Sequence, residues 1–229
     1  MGEHISKALK LSNGELIIIN GGDDVSLPTR VQTIYNEWIS SDRKVIGFFS
    51  NVQLIDQFGN DMGNMFKNIP EYTENMQSFL KKANDFSIKK QPLCWLLGCS
   101  AAIDRKVYDR FGDINKSVLQ EDGVFAFRSL LLGNIRYIDS VLVKYRRHGN
   151  NIFDPTDLKK VLYLQKSEYY YKLQWHTDAI KIGADSEVIK TVKKIVDKAH
   201  LYNVILKIPM VGKSVLLFKN VIKKMISRR

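Results

Sequence analysis

Cysteine and histidine are scarce in this chain: two cysteines, Cys94 and Cys99, and four histidines among 229 residues. Two cysteines spaced C-x4-C do not make a disulfide framework, and they lack the histidines and spacing of a zinc site. Buried free thiols in a reducing compartment are expected instead. No run of 18 apolar residues occurs, so no transmembrane helix is expected. The opening MGEHISKALKLSNGE has no apolar core of the kind a signal peptide carries. Internal repeats and low-complexity segments are missing as well. What remains is 45 % hydrophobic and 26 % charged, the composition of a globular protein long enough to bury a sizeable core.

Charge of one sign is also missing from most of the chain. The formal net charge is +11, yet residues 1–155 carry 19 Lys and Arg against 18 Asp and Glu. Residues 156–229 carry 16 against 6, so the excess belongs to the C-terminal third. A segment of one sign reads either as a solvated lysine-rich helical surface or as a site for an anionic partner. The closing stretch KSVLLFKNVIKKMISRR sets Leu216, Phe218, Ile222, Met225 and Ile226 among six basic residues. Such a helix either lies on an anionic membrane surface or packs its apolar stripe on the rest of the chain. No nucleic-acid recognition motif accompanies the charge, and nucleic acid is not expected as a partner.

Strand-like and helix-like segments alternate through about residue 150, which predicts an α/β or mixed-sheet architecture. The spacing predicts a first helix over residues 5–13 ending on an αL cap at Asn13-Gly14. ELIIIN reads as a strand covered on both faces. A helix over 28–40 follows Pro28, with Val31, Ile34, Tyr35 and Trp38 on one face. RKVIGFFSNVQLID leads to a turn at QFGN, and a short helix is expected over 75–82. Leu93 to Ile103 reads as another buried strand. Asp104 can cap a helix closed by Gly112, a helix spans 120–132, and IRYIDSVLVKYR is extended. Beyond Pro155 the pattern is helical, with breaks near Gly183 and Pro209.

Three stretches carry chemistry. IIINGGDDVSLP delivers Asp23 and Asp24 at the end of a strand. The pair reads as an acidic turn or as hard oxygen ligands for Mg²⁺ or Mn²⁺, which in turn hold phosphate oxygens. Ligands of open α/β sheets bind beyond the carboxyl ends of strands, and Gly21 and Gly22 would let a phosphate approach the backbone. EDG places Glu121 and Asp122 at a helix start, where the dipole stabilises carboxylates. KYRRHGNN places His148 in a polar turn after a strand, and Arg128 reads as a solvated or ion-paired helix residue.

Four spans in order, GELIIINGGDDVSLPTRV, VIGFFSNVQLIDQFGN, LLGCSAAIDRKVYDRFGDIN and EDGVFAFRSLLLGNIRYIDSVLVKYRRHGNN, resemble glycosyltransferase family 2. The resemblance covers about residues 5–152. It implies a GT-A fold, a Rossmann-like mixed sheet, and transfer of a sugar from a nucleotide-diphosphate donor to an acceptor hydroxyl with inversion. By resemblance, Asp23 and Asp24 bind the divalent cation (Mn or Mg) that bridges the donor diphosphate. Asp122 is the catalytic base, with Glu121 orienting it or touching the acceptor. Gly22, Asp23, Arg146 and His148 contact the donor (a UDP-, GDP- or dTDP-sugar) or its metal, and His148 joins the metal ligands. Gly98, Cys99 and Ser100 border the acceptor site.

The chain departs from the family pattern at two places. The first aspartate of the family's metal motif aligns with Gly21, leaving Asn20 as a substitute oxygen ligand. The family also begins with β-α units that grip the nucleotide base, each needing about 30 residues. The resemblance therefore implies a partial GT-A domain over residues 1–152, lacking its first β-α units, with a basic helical region over 153–229. The Ile17–Ile19 strand would then be a sheet edge, expected either to pair in a homodimer or to be covered by rearrangement. The expected setting is the cytoplasmic face of a membrane, in bacterial surface polysaccharide or lipopolysaccharide synthesis, with a glycan or lipid-linked acceptor. The alternative is a non-catalytic relative serving as a scaffold or partner subunit.

Overall fold

The structure is a computed structural model that describes residues 2–84, 96–149, 151 and 158–206. Cys94 and the basic stretch from residue 213 onward lie outside the described residues. The elements run α1 (Gly2–Leu11), β1 (Leu16–Ile18), β2 (Val25–Ser26), α2 (Arg30–Ser40), β3 (Val45–Ile55), β4 (Asp61–Asn64), α3 (Met76–Asn84), a 3-10 turn (Gly98–Ser100), β5 (Ala102–Asp104), α4 (Lys106–Phe111), α5 (Glu121–Leu132), β6 (Asn134–Arg146), α6 (Leu158–Lys181) and α7 (Ser186–Leu206). The chain is a mixed α/β protein, as its alternating pattern predicts.

One sheet has the order β1-β5-β3-β6-β2, with β4 paired to β3 as a hairpin. Among the described residues only β3 and β6 run parallel, and every other pair is antiparallel. The long parallel pair β3/β6 forms the spine. Because successive strand residues point to opposite faces, Phe48 packs toward α2 with Ile34, Trp38 and Leu142. Phe49 faces the larger core, which includes Phe79, Phe127 and Trp175. Phe127 and Trp175 stack at 5.1 Å, and Phe79 meets both edge-on at 5.4 and 5.8 Å. Trp175, Ala179, Val188, Val192 and Val196 belong to that same core, so α6 and α7 share it with the sheet.

Several local expectations change. The first helix ends at Leu11, where Ser12 Oγ donates to the Leu9 carbonyl at 2.9 Å. Neither Asn13 nor Gly14 takes positive φ, so no αL cap forms there. β1 is a three-residue edge strand of intermediate burial, and both its faces meet apolar clusters, Leu16 and Ile18 on the α2 side and Ile17 on the larger core. On α2 the buried face is Arg30, Ile34 and Trp38, whereas Val31 and Tyr35 are 61 % and 47 % exposed. Among the described residues 96–103 of the expected strand, Ala102 and Ile103 are extended, within β5. Gly98–Ser100 coils into the 3-10 turn because Ser100 Oγ reaches sideways, donating to the Ser50 carbonyl and accepting from the Ser50 N–H. Asp104 does start α4, taking the Lys106 N–H at 2.8 Å, and Gly112 closes it at φ +69°.

Of the two environments expected for Arg128, the ion-paired one is present. The side chain is fully buried, and its Nε and Nη2 grip both oxygens of Asp178 on α6 at 2.7 and 3.3 Å. The carbonyls of Gly112 and Asp113 take its remaining N–H groups. Removing one partner of such a pair strands a buried charge, at a cost of about 3–5 kcal/mol. Asp178→Ala is therefore expected to lower unfolding free energy by about that amount in urea titration. The double variant Arg128→Met/Asp178→Leu should be less unstable than Asp178→Ala alone.

Candidate functional site

The acidic pair lies in the turn between β1 and β2, closed by the Asp24 N–H donating to the Gly21 carbonyl at 3.3 Å. β2 holds this turn against β6 through Val25–Lys144 and Ser26–Val143. The end of β6 then returns to the same carboxylates. The Arg146 backbone N–H donates to Asp24 Oδ1 at 2.9 Å, and His148 Nε2 sits 2.8 Å from Asp23 Oδ2. The Arg146 guanidinium reaches across the turn, Nε to the Asp23 carbonyl and Nη1 to the carbonyls of Asp56 and Gln57. It thereby ties the β3–β4 hairpin to the acidic turn. Burial holds the Asp24 carboxyl above its ordinary range, with the neighbouring Asp23 charge adding to the rise.

Gly21 is used by this arrangement. A Cβ there would collide with Asp24 Oδ2 and stand 3.4 Å from Asp23 Oδ1. One oxygen of each carboxylate thus faces the space a side chain at position 21 would fill. Two hard oxygens converging on one point, against a half-buried like-charge pair, suit a divalent cation that draws its other ligands from phosphate and water. The set expected from sequence, Asp23 with Asp24 and His148, is not assembled as a cage: His148 is turned onto Asp23. Among the described residues no three His, Cys, Asp or Glu side chains are grouped to hold a metal. Nor does Asn20 offer its oxygen freely, because Asn20 Oδ1 accepts from Arg30 at 2.8 Å.

The second constellation opens α5. Glu121 and Asp122 lie in its first turn, and Asp122 Oδ1 accepts the Gly123 N–H at 2.8 Å. α6 closes over them. The Tyr171 ring packs where a Cβ of Gly123 would stand, and Trp175 Nε1 donates to the Gly123 carbonyl at 2.8 Å. Burial, joined by the Glu121 charge, pushes the Asp122 carboxyl up to about 7. Burial raises Glu121 as well.

The 3-10 turn joins the two constellations. A Cβ on Gly98 would stand 3.8 Å from Asp122 Oδ2 and 3.9 Å from Glu121 Oε1, so the turn walls the acidic helix start. Next along, Cys99 is pushed up to about 12 by burial, with both Asp24 and Asp122 adding to the rise. It is therefore a protonated thiol, lying within the fields of both acidic groups. Tyr145 faces the same region: burial raises it, and Cys99, Asp24 and Asp23 raise it further. The structure thus gathers Asp23, Asp24, Arg146 and His148 on one side and Gly98, Cys99, Glu121 and Asp122 on the other. Gly22 is exposed at the turn, whereas Ser100 is buried and serves the sheet. Sequence reasoning missed Arg30 and Tyr145. Arg30 could have been found by extending the Ile34–Trp38 spacing back four residues.

No protein-family model and no curated protein matches the chain. Among solved structures, it is similar to a mannosyltransferase from Pyrobaculum calidifontis in complex with GDP-mannose and Mn²⁺. The TM-score is 0.44 and the identity 12 %, over 98 % of this chain and 60 % of that one. The chain therefore spans about three-fifths of that protein's solved length.

The Asp122 shift sets a pH signature. Between about pH 4 and pH 7 the folded state keeps a proton that the unfolded chain releases. The stabilisation is thus complete below about pH 4 and is lost as pH rises through about 7. Asp122→Asn should flatten the pH dependence of the urea midpoint across that window and be the more stable form at pH 8. Identical pH profiles for the two proteins would contradict this electrostatic reading.

Proposed function

We propose that the chain is a nucleotide-sugar-dependent glycosyltransferase of the family 2 type that inverts the anomeric configuration. One observation carries this reading: an acidic turn suited to a cation and an acidic helix start suited to a base flank one short turn, Gly98–Ser100, with Cys99 in the field of both. Asp23 Oδ1 and Asp24 Oδ2 would hold a Mn²⁺ or Mg²⁺ ion together with the donor diphosphate. When bound, such an ion supplies positive charge against the departing nucleoside diphosphate. Gly22 leaves the turn open to the diphosphate, and Arg146 and His148 fix it from the β6 side.

Asp122 then acts from the other side of the turn. It takes the acceptor hydroxyl proton as that oxygen bonds to the anomeric carbon and the bond from that carbon to the diphosphate oxygen breaks. A base works best with a proton affinity near the operating pH, and a carboxyl raised to about 7 meets that demand. Glu121 helps to raise it and lies beside Gly98 on the acceptor side. A glycan or lipid-linked acceptor in surface-polysaccharide synthesis, handled at the inner face of the membrane, fits the basic C-terminal third.

The scaffold reading draws on one specific observation, the turning of His148 onto Asp23. Calorimetry with UDP- and GDP-sugars in the presence of Mn²⁺ separates the two, since a scaffold binds none of them. For the enzyme, Asp122→Asn is expected to lower turnover at least about 100-fold while donor affinity stays within about threefold. Unchanged turnover in that variant would remove Asp122 from the mechanism.

A further inference from the structure

Among the described residues two arginines, Arg30 and Arg128, are completely buried, and they are stabilised in opposite ways. Arg128 meets a carboxylate, Asp178, two-pronged along the Nε–Nη2 edge of its guanidinium. Arg30 makes no ion pair within reach among the described residues, and its Nε has no hydrogen-bond partner at all. Its charge is met by neutral groups. Nη2 donates to the carbonyls of Ile19, Cys99 and Ala101 at 2.6, 3.3 and 3.4 Å. Nη1 donates to Asn20 Oδ1 at 2.8 Å and Ser26 Oγ at 3.3 Å. Burying a guanidinium without a carboxylate is expensive, and the fold tolerates it at the candidate site.

The location of these acceptors is informative. β1 and β5 pair from Leu16–Asp104 through Ile18–Ala102, and the Ile19 N–H extends the ladder to the Ala101 carbonyl. There the ladder stops. One chain departs into the acidic turn and the other into Gly98–Ser100. Arg30 grips both at the point of divergence, so strand pairing does not need it but the gap between the two turns does. Asn20 carries the grip onward: its Nδ2 donates to the carbonyls of Gly21 and Asp24 at 2.7 and 3.3 Å. A continuous hydrogen-bonded path thus runs from Cys99, through Arg30 and Asn20, to the backbone of the acidic turn.

We infer that Arg30, with Asn20, is a positioning clamp that sets the separation between the cation-binding turn and the acceptor-side turn. This inference rests on the proposed transfer reaction for its catalytic consequence, but the clamp itself is a property of the fold. Lysine at position 30 keeps the charge and loses the fork, because one ammonium cannot span Ile19, Asn20 and Cys99 together. A misplacement of about 1 Å between reacting groups costs roughly 100-fold in rate.

The test compares the full chain with Arg30→Lys and Asn20→Ala. Amide hydrogen exchange is read over residues 19–24 and 97–101, and nucleoside diphosphate release is followed with UDP- and GDP-sugars and Mn²⁺. In both variants exchange should rise at least about tenfold in the two segments together, with α5 and the β3/β6 pair unchanged. Turnover in Arg30→Lys should fall about 100-fold while KM for the donor stays within about threefold. Asn20 is exposed, so its variant decides the matter if Arg30→Lys loses the fold. Unchanged exchange in either segment, or a rate loss residing wholly in KM, overturns the clamp. If the wild-type chain releases no diphosphate, the proposed function fails, and the exchange result alone decides the clamp.

Discussion

The chemistry available at the start of α5 depends on how tightly α6 is held across it, and the Arg128–Asp178 pair does the holding. Both side chains are buried, their contact is two-pronged, and Gln174 adds a third bond to Asp178 from one turn earlier. Bidentate geometry matters because a single contact rarely repays the desolvation of two charges. With α6 fixed at Asp178, Trp175 reaches the Gly123 carbonyl, Tyr171 covers Gly123, and Ser167 reaches Gln120. The first turn of α5 is therefore roofed by one face of α6. That roof leaves Asp122 only partly exposed, and the burial lifts its proton affinity.

Local rules read well wherever a residue acts on its own neighbours. Asp104 starting α4, Gly112 ending it and the strand–turn–strand of β3 and β4 follow from capping and turn chemistry. The acidic turn at Asp23 and Asp24 is legible for the same reason, as is the acidic first turn of α5. What the sequence could not show is decided by partners far along the chain. The segment before Ala102 has the apolar content of a strand, yet Ser100 bonds Ser50 and bends it. α2 has two apolar stripes to choose from, and the buried one is completed by Arg30, which a hydrophobic count scores as polar. Arg128 reads as solvated or ion-paired, and only α6, fifty residues later, decides between the two by supplying Asp178.

Gly21 shows the same dependence in miniature. Against the family pattern it is a lost carboxylate. In the fold it is the space into which Asp24 Oδ2 turns while Arg146 holds Oδ1, so the missing side chain and the bent carboxylate belong together. Asn20, the substitute ligand suggested by sequence, is instead committed to Arg30. The turn therefore presents two carboxylates rather than three, supported from below by a buried cation.

That cation bears on how the acidic groups divide the work. Asp23 and Asp24 lie on one side of the 98–100 turn and Glu121 and Asp122 on the other; the Asp23 charge raises the proton affinity of Asp24, and the Glu121 charge that of Asp122. Arg30 lies beneath the Asp24 side and opposes the rise there. Arg146 opposes it further through a backbone N–H bond to Oδ1 and its own charge. At Asp122 no cation intervenes. Burial and Glu121 both push upward, and only backbone N–H groups pull down. Carboxylates whose surroundings drive their proton affinities apart take different roles. Under the proposed reaction the Asp23–Asp24 turn, flanked by Arg30 and Arg146, is suited to attract a cation. Asp122, partly buried and with no cation beside it, is suited under that reaction to exchange a proton near pH 7. Under the proposed reaction, the unequal placement of Arg30 and Arg146 would separate an electrostatic site from a proton-transfer site across a single 3-10 turn.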